Sequence, residues 1–343
     1  MTFSTRNHLP YILIAVVGLL APVVATPFII QFALLWMMIL FALTWDLAGG
    51  QMGYNSFGNI LFFGIGTYTT AVVQRVLYFH GGEYANAAGG VHALTPFQYF
   101  TGFAAGIVVS TVIAVSVAAV LGMGILRLRG PYFAVCTLGI GVAAAEIASG
   151  WDYIGAGSGM VAPIYPGEAS TPGIFFYYLF FTLAVICFVT LKAIFSSRFG
   201  LAINAIRDDE DKAEAMGLHT TRYKTVAWCV SALFLAPAGG AFGHLNNFID
   251  REVAFPTNTF GVWMLLMAIL GGKGTLWGPV IGATVFHITQ ELFWTYLLGW
   301  QRVALGILIV IIVVFFPQGI MGWLRGRWPE NFGEIAGAES RLV

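Results

Sequence analysis

Residues 30–47 read IQFALLWMMILFALTWDL, an apolar run with one charged side chain, Asp46, near its end. As an α-helix it would rise about 27 Å, close to the roughly 30 Å hydrocarbon thickness of a bilayer. Runs of the same kind follow one another along the 343-residue chain. Charged residues make up 9%, aromatic residues 15% and apolar residues 58% of it, whereas a soluble domain is about 25% charged. The composition predicts an all-α polytopic membrane protein, folded as a single transmembrane domain over residues 1–343. The formal net charge is zero and points to no partner; the placement of the charges is what informs.

Apolar runs near 11–28, 30–47, 55–78, 97–125, 131–149, 174–194, 225–245, 258–270, 278–298 and 301–322 predict about ten transmembrane helices. The N-terminus has the outline of a signal peptide. No A-x-A site leads from it into a soluble domain, so it is read as the first span. With both termini cytoplasmic, 13 of the 16 lysines and arginines fall inside: Arg6, Arg127, Arg129, Lys192, Arg198, Arg207, Lys212, Arg222, Lys224, Lys273, Arg325, Arg327 and Arg341. Arg75, Arg251 and Arg302 fall outside. The long outer loops FHGGEYANAAGGVHALTP and GWDYIGAGSGMVAPIYPGEASTPG hold neither lysine nor arginine.

IRDDEDKAEAMGL, residues 206–218, breaks this pattern, with seven of the eight residues from Arg207 to Glu214 charged. It lies in the longest cytoplasmic loop, residues 196–224. Leu201, Ala202, Ala205 and Ile206 predict one short helix. A second can start at Asp208 or Asp209, whose carboxylate caps the first turn, run through Glu214 and stop at Gly217. Its acids lead and Lys212 follows, the order that suits the helix dipole. Ala213, Met216 and Leu218 predict an apolar ridge on a short rigid peg. Such a peg suits a groove on a soluble partner; the alternative is a solvated link between two spans.

The run G-L-A-I-N-A-I-R-D-D-E-x₃-E-A-M-G-L, residues 200–218, followed by Tyr223 and Lys224, resembles the coupling loop of the permease subunits of branched-chain amino-acid ABC importers (LivM type). WDLAGGQMGYNSFGNILFFGIGTYTT (45–70), VWMLLMAILGGKGTLWGPVIGA (262–283) and FFPQGIMGW (315–323) resemble further segments of that family, in the family's order. Lys212 stands where the resemblance would place a smaller residue, and Asn59 where it would place His. The resemblance implies that Asn204, Arg207, Asp208, Glu210, Glu214, Ala215, Met216 and Gly217 form a coupling helix that takes up ATP-driven motion. It also implies a second homologous permease, two ABC ATPase subunits carrying ATP and Mg, an extracytoplasmic solute-binding protein, and a bacterial inner (plasma) membrane location. No cofactor is expected on this chain. Branched-chain or related amino acids are the implied solutes, with urea and short amides as alternatives.

Discontinuous helices in paired positions of two repeats point to a transport site. In a five-plus-five inverted arrangement the third and eighth spans are counterparts. The third contains Gly53, Gly58, Gly64 and Gly66; the eighth is short and ends in Gly271, Gly272 and Gly274. They share a tetrapeptide pattern, Asn55-Ser56-Phe57-Gly58 and Asn258-Thr259-Phe260-Gly261. Irregular backbone at membrane depth is tolerated where it is buried in protein or lines a cavity. Tyr54, Asn55, Ser56, Asn59, Thr67, Tyr68, Asn258 and Thr259 are therefore the candidate pathway-lining residues. Ordinary interhelical hydrogen bonding is the alternative for each.

Glu146, Glu291, His244 and His287 fall inside spans and Asp46 near an end. Their cost in lipid turns them toward the bundle interior, and His287 and Glu291, one turn apart, suit a structural pair. A secondary transporter would need such groups wired into a relay, and a channel is a variant of that reading. A membrane enzyme would need a nucleophile or metal cluster. Cys136, Cys187 and Cys229 are scattered and read as packing residues, and no metal site is expected. GGKGT (Gly271–Thr275) lacks the spacing of a phosphate-binding loop, so ATP chemistry is not expected here. Basic patches suited to nucleic acid are missing: Arg325 and Arg327 beside Trp323 and Trp328 read as an interfacial anchor. Residues 325–343 read as a cytoplasmic tail.

Overall fold

The computed structural model describes residues 18–22, 26–78, 94–167, 171–297 and 318–327, with isolated positions between 299 and 314. Most of the first expected span, half of the tenth, the first long outer loop and the tail beyond Arg327 lie outside the described residues. The long helices are α1 (Ile29–Asp46), α2 (Asn59–Tyr78), α3 (Pro96–Ile125), α4 (Pro131–Ser149), α5 (Thr171–Phe195), α8 (Thr220–Asn246) and α11 (Gly278–Tyr296). Shorter ones are α6 (Arg198–Asp208), α7 (Glu210–Ala215), α9 (Arg251–Ala254), α10 (Val262–Gly271) and α12 (Gly319–Arg327). Strands β1 (Met160–Val161) and β2 (Phe248–Ile249) pair antiparallel, Met160 opposite Ile249.

Seven helical stretches among the described residues are long and apolar enough to cross a membrane: Thr26–Gln51, Asn59–Tyr78, Pro96–Ile125, Pro131–Ser149, Pro172–Phe195, Thr220–Asn246 and Arg251–Gly271. Helix α11 has the length of the expected ninth span but carries His287, Gln290 and Glu291, and it is not among the seven. Two expected boundaries move. The third span is helical only from Asn59, so residues 52–58 are a non-helical lead-in. The eighth combines α9, a π-helical turn at Thr257–Gly261 and the ten residues of α10. The two Asn-Ser/Thr-Phe-Gly tetrapeptides each precede a helix directly but differ in shape, one non-helical and the other a π turn.

Side-chain size explains the packing. Helix α1 is buried continuously from Met37 to Asp46, and α8 from Phe234 to His244, as expected of helices at the centre of a bundle. Helix α3 buries Ser110, Ala114, Ala118 and Gly122 at four-residue spacing and exposes Val108, Val112, Val120 and Met123. Small residues face the bundle because lipid offers large apolar side chains as good a solvent as protein does. Helices α2 and α8 cross so closely that a Cβ on Gly66 would overlap the Ala236 carbonyl oxygen, and one on Gly239 that of Phe63. Thr67 Oγ1 lies 2.9 Å from Phe63 O and 3.0 Å from Gly239 O, bridging the crossing.

Contacts between loops sort into two ends. At one, Tyr54 meets Glu210, Arg129 meets α7, and Gly274 N–H donates to Asp46 Oδ1 at 2.7 Å. At the other, Arg75 donates to Tyr153 O at 2.9 Å and Arg251 pairs with Glu146 at 2.6 Å. Arg129, expected on one side of the membrane, is thus at the opposite end from Arg75 and Arg251, expected on the other. The Glu146–Arg251 pair is exposed, so Glu146→Gln should lower stability by at most about 1 kcal/mol, as read from thermal unfolding in detergent.

The expected His287–Glu291 pair does not form. His287 is buried and faces the Gln31 backbone of α1, while Glu291 is half-buried, and no hydrogen bond joins them. His244 instead stitches helices together, its ring nitrogens 2.8 Å from Gly240 O and 2.7 Å from Gln74 Oε1. Gln74 in turn donates to Tyr99 O at 2.9 Å. Cys136, Cys187 and Cys229 are free thiols.

Candidate functional site: a latched peg at the bundle end

The charged loop folds as two helices at a bend. Ser197 caps α6 by accepting from Phe199 and Gly200 N–H, and Asp209 caps α7 by accepting from Lys212 N–H at 3.1 Å. Asp208, the other candidate cap, instead accepts from Arg207 at 3.2 Å. Helix α7 ends where Gly217 takes φ +89°, and Leu218 N–H returns to Ala213 O at 3.1 Å. This left-handed turn is nearly free of steric cost for glycine alone.

The expected apolar ridge is split between two faces. Ala213 is 3% exposed and belongs to the buried core, Leu218 is half-buried, and Met216 is 85% exposed. Ala215 and Gly217 flank it at the exposed tip. The helix ends at Ala215 and Gly217 is left-handed, so Met216 and Leu218 lie beyond it and do not continue the face that Ala213 starts.

The acids of α7 are fastened to the bundle. Glu210 accepts from Lys224 Nζ at 2.7 Å and from the Tyr54 hydroxyl. Glu214 accepts from Thr220 Oγ1 at 2.6 Å and from Arg129 at 3.0 Å. Arg129 also pairs with Asp211 and lies 3.8 Å from Glu210. The Lys224 side chain is only 1% exposed, and its ammonium sits 4.3 Å from the Tyr54 ring centroid. Burial alone would raise the Glu210 carboxyl. The hydrogen bonds from Lys224 and Tyr54, with the Lys224 charge, outweigh it and hold the pKa below the ordinary glutamate range. The resemblance marked Glu210 and Glu214 but not Arg129, Thr220 or Tyr54 as their partners. A lysine in the first turns of an apolar span was the available signal for Lys224.

Next to this latch, the glycine-rich turn after α10 is pinned to the end of α1. Gln51 Nε2 donates to Gly274 O at 2.8 Å, complementing the Gly274–Asp46 bond. Arg207 lies against both Gly53 and Gly274, and Asn204 is half-buried with its Oδ1 enclosed. Of the eight marked loop residues, Arg207 thus belongs to the junction rather than to the tip.

The lining candidates also divide. Asn55, Asn258 and Thr259 are exposed. Ser56 is buried and accepts from Trp228 Nε1 at 3.2 Å, and buried Asn59 donates to Thr44 Oγ1 at 3.4 Å. Thr67 bridges α2 and α8, the Tyr68 hydroxyl is enclosed beside Phe255, and Tyr54 belongs to the latch. Glu146, Asp46, His244 and His287 form no connected chain of titratable groups among the described residues.

A family model described as branched-chain amino acid transport system / permease component matches residues 28–314. The high-affinity branched-chain amino acid transport system permease protein LivM of Escherichia coli K12 is 25% identical over 289 residues, covering 76% of this chain and 67% of that protein. The probable branched-chain amino acid transport permease protein LivM of Methanocaldococcus jannaschii is 22% identical over 325 residues, covering 85% and 93%. LivH of Escherichia coli K12, a permease protein of the same system as LivM there, is 29% identical over 147 residues, covering 40% and 47%. No solved structure matches the chain.

Proposed function

The chain belongs to the family of permease components of branched-chain amino acid transport systems, and on that premise we propose that it forms half of an ATP-driven import pathway. It is a membrane permease component, and branched-chain amino acids are the solutes that its relatives' names attach to it. The observation that carries the ATP-driven reading is α7: a helix latched to the bundle by three charged contacts while Met216 stands 85% exposed at its tip. A rigid peg transmits displacement, and an apolar tip on a cytoplasmic face suits a groove on a separate ATPase.

In this reading two ATPase subunits hold ATP and Mg, and the chain itself does no covalent chemistry. A second permease like LivH completes the pathway, and a solute-binding protein delivers from outside. The membrane is the bacterial inner membrane, crossed ten times with both termini cytoplasmic. Helix α11 supports that count, because it leads away from the end at which Gly319 packs on Gly272. The five-plus-five repeat is supported by the tetrapeptides that lead into α2 and α10 from opposite ends. Asn55, Asn258 and Thr259 line the corridor, framed by the buried Ser56, Asn59, Thr67 and Tyr68.

Uptake into inside-out and right-side-out vesicles holding both permeases and the ATPases tests the scheme. Transport should require ATP on the face bearing residues 196–224. Uptake by the lone chain under an imposed proton or sodium gradient would replace this reading with a secondary transporter.

A further inference from the structure

Tyr54 lies in the non-helical lead-in to α2, yet its hydroxyl donates to Glu210 of α7, 156 residues away. Its ring covers the Lys224 ammonium and meets Phe133 of α4 edge-on, centroids 5.3 Å apart. Two further side-chain bonds hold the same lead-in: Phe57 N–H donates to Thr137 Oγ1 of α4 at 3.1 Å, and Trp228 of α8 to Ser56 Oγ. At its start, Tyr54 N–H reaches back to Ala48 O at 2.8 Å, and Gly53 takes φ +78°. Residues 52–58 are therefore positioned by neighbours and not by a helical ladder of their own.

We propose that Tyr54 is a positioning residue for transport, through which movement of α7 enters the break in the membrane helix. This rests on α7 being the coupling helix. The tethers of α7 lead to three different places, Thr220, which donates to Glu214, standing on the same helix as Lys224. Lys224 leads into α8, which is buried without interruption from Phe234 to His244 and is enclosed by its neighbours. Arg129 leads to the turn between α3 and α4, through a side chain that is 47% exposed and correspondingly screened. Tyr54 leads to irregular backbone, which absorbs φ/ψ changes at a few positions as hinges do. The residue after it is Asn55, the exposed lining candidate of this lead-in. A displacement of α7 pulls on the Tyr54 hydroxyl and turns residues 52–58 against α4, and the amide of Asn55 moves with them. Glycine at position 53 lets the turn swing without a Cβ meeting Arg207, which already lies against it.

Tyr54→Phe isolates the hydroxyl, since phenylalanine keeps the ring between Lys224 and Phe133. In the complete transporter, reconstituted with the second permease, the ATPases and leucine as the solute, the quantity to read is leucine delivered per ATP split. Tyr54→Phe should lower that ratio about tenfold, the order set by losing a hydrogen bond to a charged acceptor, with the ATPases still co-purifying. Combined with Glu210→Leu it should lower the ratio no further than Glu210→Leu alone, because leucine offers the hydroxyl no acceptor and the hydroxyl acts through that carboxylate. An unchanged ratio overturns the proposal, and so do additive losses, which would place Tyr54 in the corridor itself. Release of the ATPases by Tyr54→Phe also overturns it, making the residue part of the dock. Failure of the underlying coupling reading shows separately, as ATPases that remain bound when Met216 carries a charge.

Discussion

Lys224→Met is expected to cost about 3 kcal/mol of folding stability, whereas Lys212→Ala, removing the same charge twelve residues earlier, should leave it unchanged. The difference lies in where each ammonium sits. Lys212 is 81% exposed and pairs with Asp209 in water, at 2.9 Å. Lys224 is 1% exposed and faces a Glu210 carboxylate that is itself only 11% exposed, at 2.7 Å. Methionine reproduces the apolar stem of the lysine, so packing is kept and the loss is electrostatic. Removing one partner of a buried pair leaves the other charge uncompensated, which costs roughly 3–5 kcal/mol. Arg129, 3.8 Å from Glu210, softens this toward the lower end. Glu210→Gln on the Lys224→Met background should recover most of the stability, because neither member of the buried pair then carries a charge while glutamine can still accept from Tyr54. Thermal unfolding in detergent, with limited proteolysis at residues 208–218, reads both effects. If Lys224→Met melts like the parent chain, the Lys224–Glu210 contact contributes nothing and α7 is held by buried Ala213 and the Glu214 contacts instead.

How far this site could be read without coordinates depends on the range of the forces that build it. Local rules carried the outline. Asp209 as cap, Gly217 as stop and a helix over Glu210–Glu214 follow from backbone chemistry within one turn, and the structure has them. Seven of the ten expected crossings were legible for a similar reason, since each apolar run satisfies its own hydrogen bonds. What was not legible is which side of α7 faces the bundle. Its partners Tyr54 and Arg129 lie 156 and 82 residues away in the chain, and a helix of under two turns has too few positions for its periodicity to choose a face. The same limit applied to Tyr54. A tyrosine beside glycines at a helix break reads as a polar lining residue until Glu210 is seen at its hydroxyl. His287 and Glu291 have the spacing of a pair, but packing against α1 buries one while the other stays half-exposed. Spacing along one helix therefore said nothing about their shared environment.

Met216→Asp should abolish ATP-driven uptake while leaving the fold intact, the largest functional effect expected of any single change in α7. At 85% exposure the side chain contributes almost nothing to packing within this chain, so an aspartate there costs little in the free subunit. Under the coupling role proposed for α7, the same position is the apolar tip that meets an ATPase groove, where a carboxylate would lose its water without gaining a partner. That penalty amounts to several kcal/mol, and with 1.4 kcal/mol per factor of ten the ATPases should bind roughly a hundredfold or more weakly. Met216→Leu keeps an apolar tip of similar volume and should transport normally. Glu214→Lys should also abolish uptake, by another route: it sets a second cation against Arg129 and withdraws the acceptor of Thr220, so α7 loosens from the bundle. Proteolysis tells the two apart, because Met216→Asp leaves residues 208–218 as protected as before and Glu214→Lys does not. Co-purification supplies the decisive measurement. ATPase subunits that remain at full stoichiometry on Met216→Asp would mean that the tip of α7 meets no partner, and the coupling role proposed for it would fall.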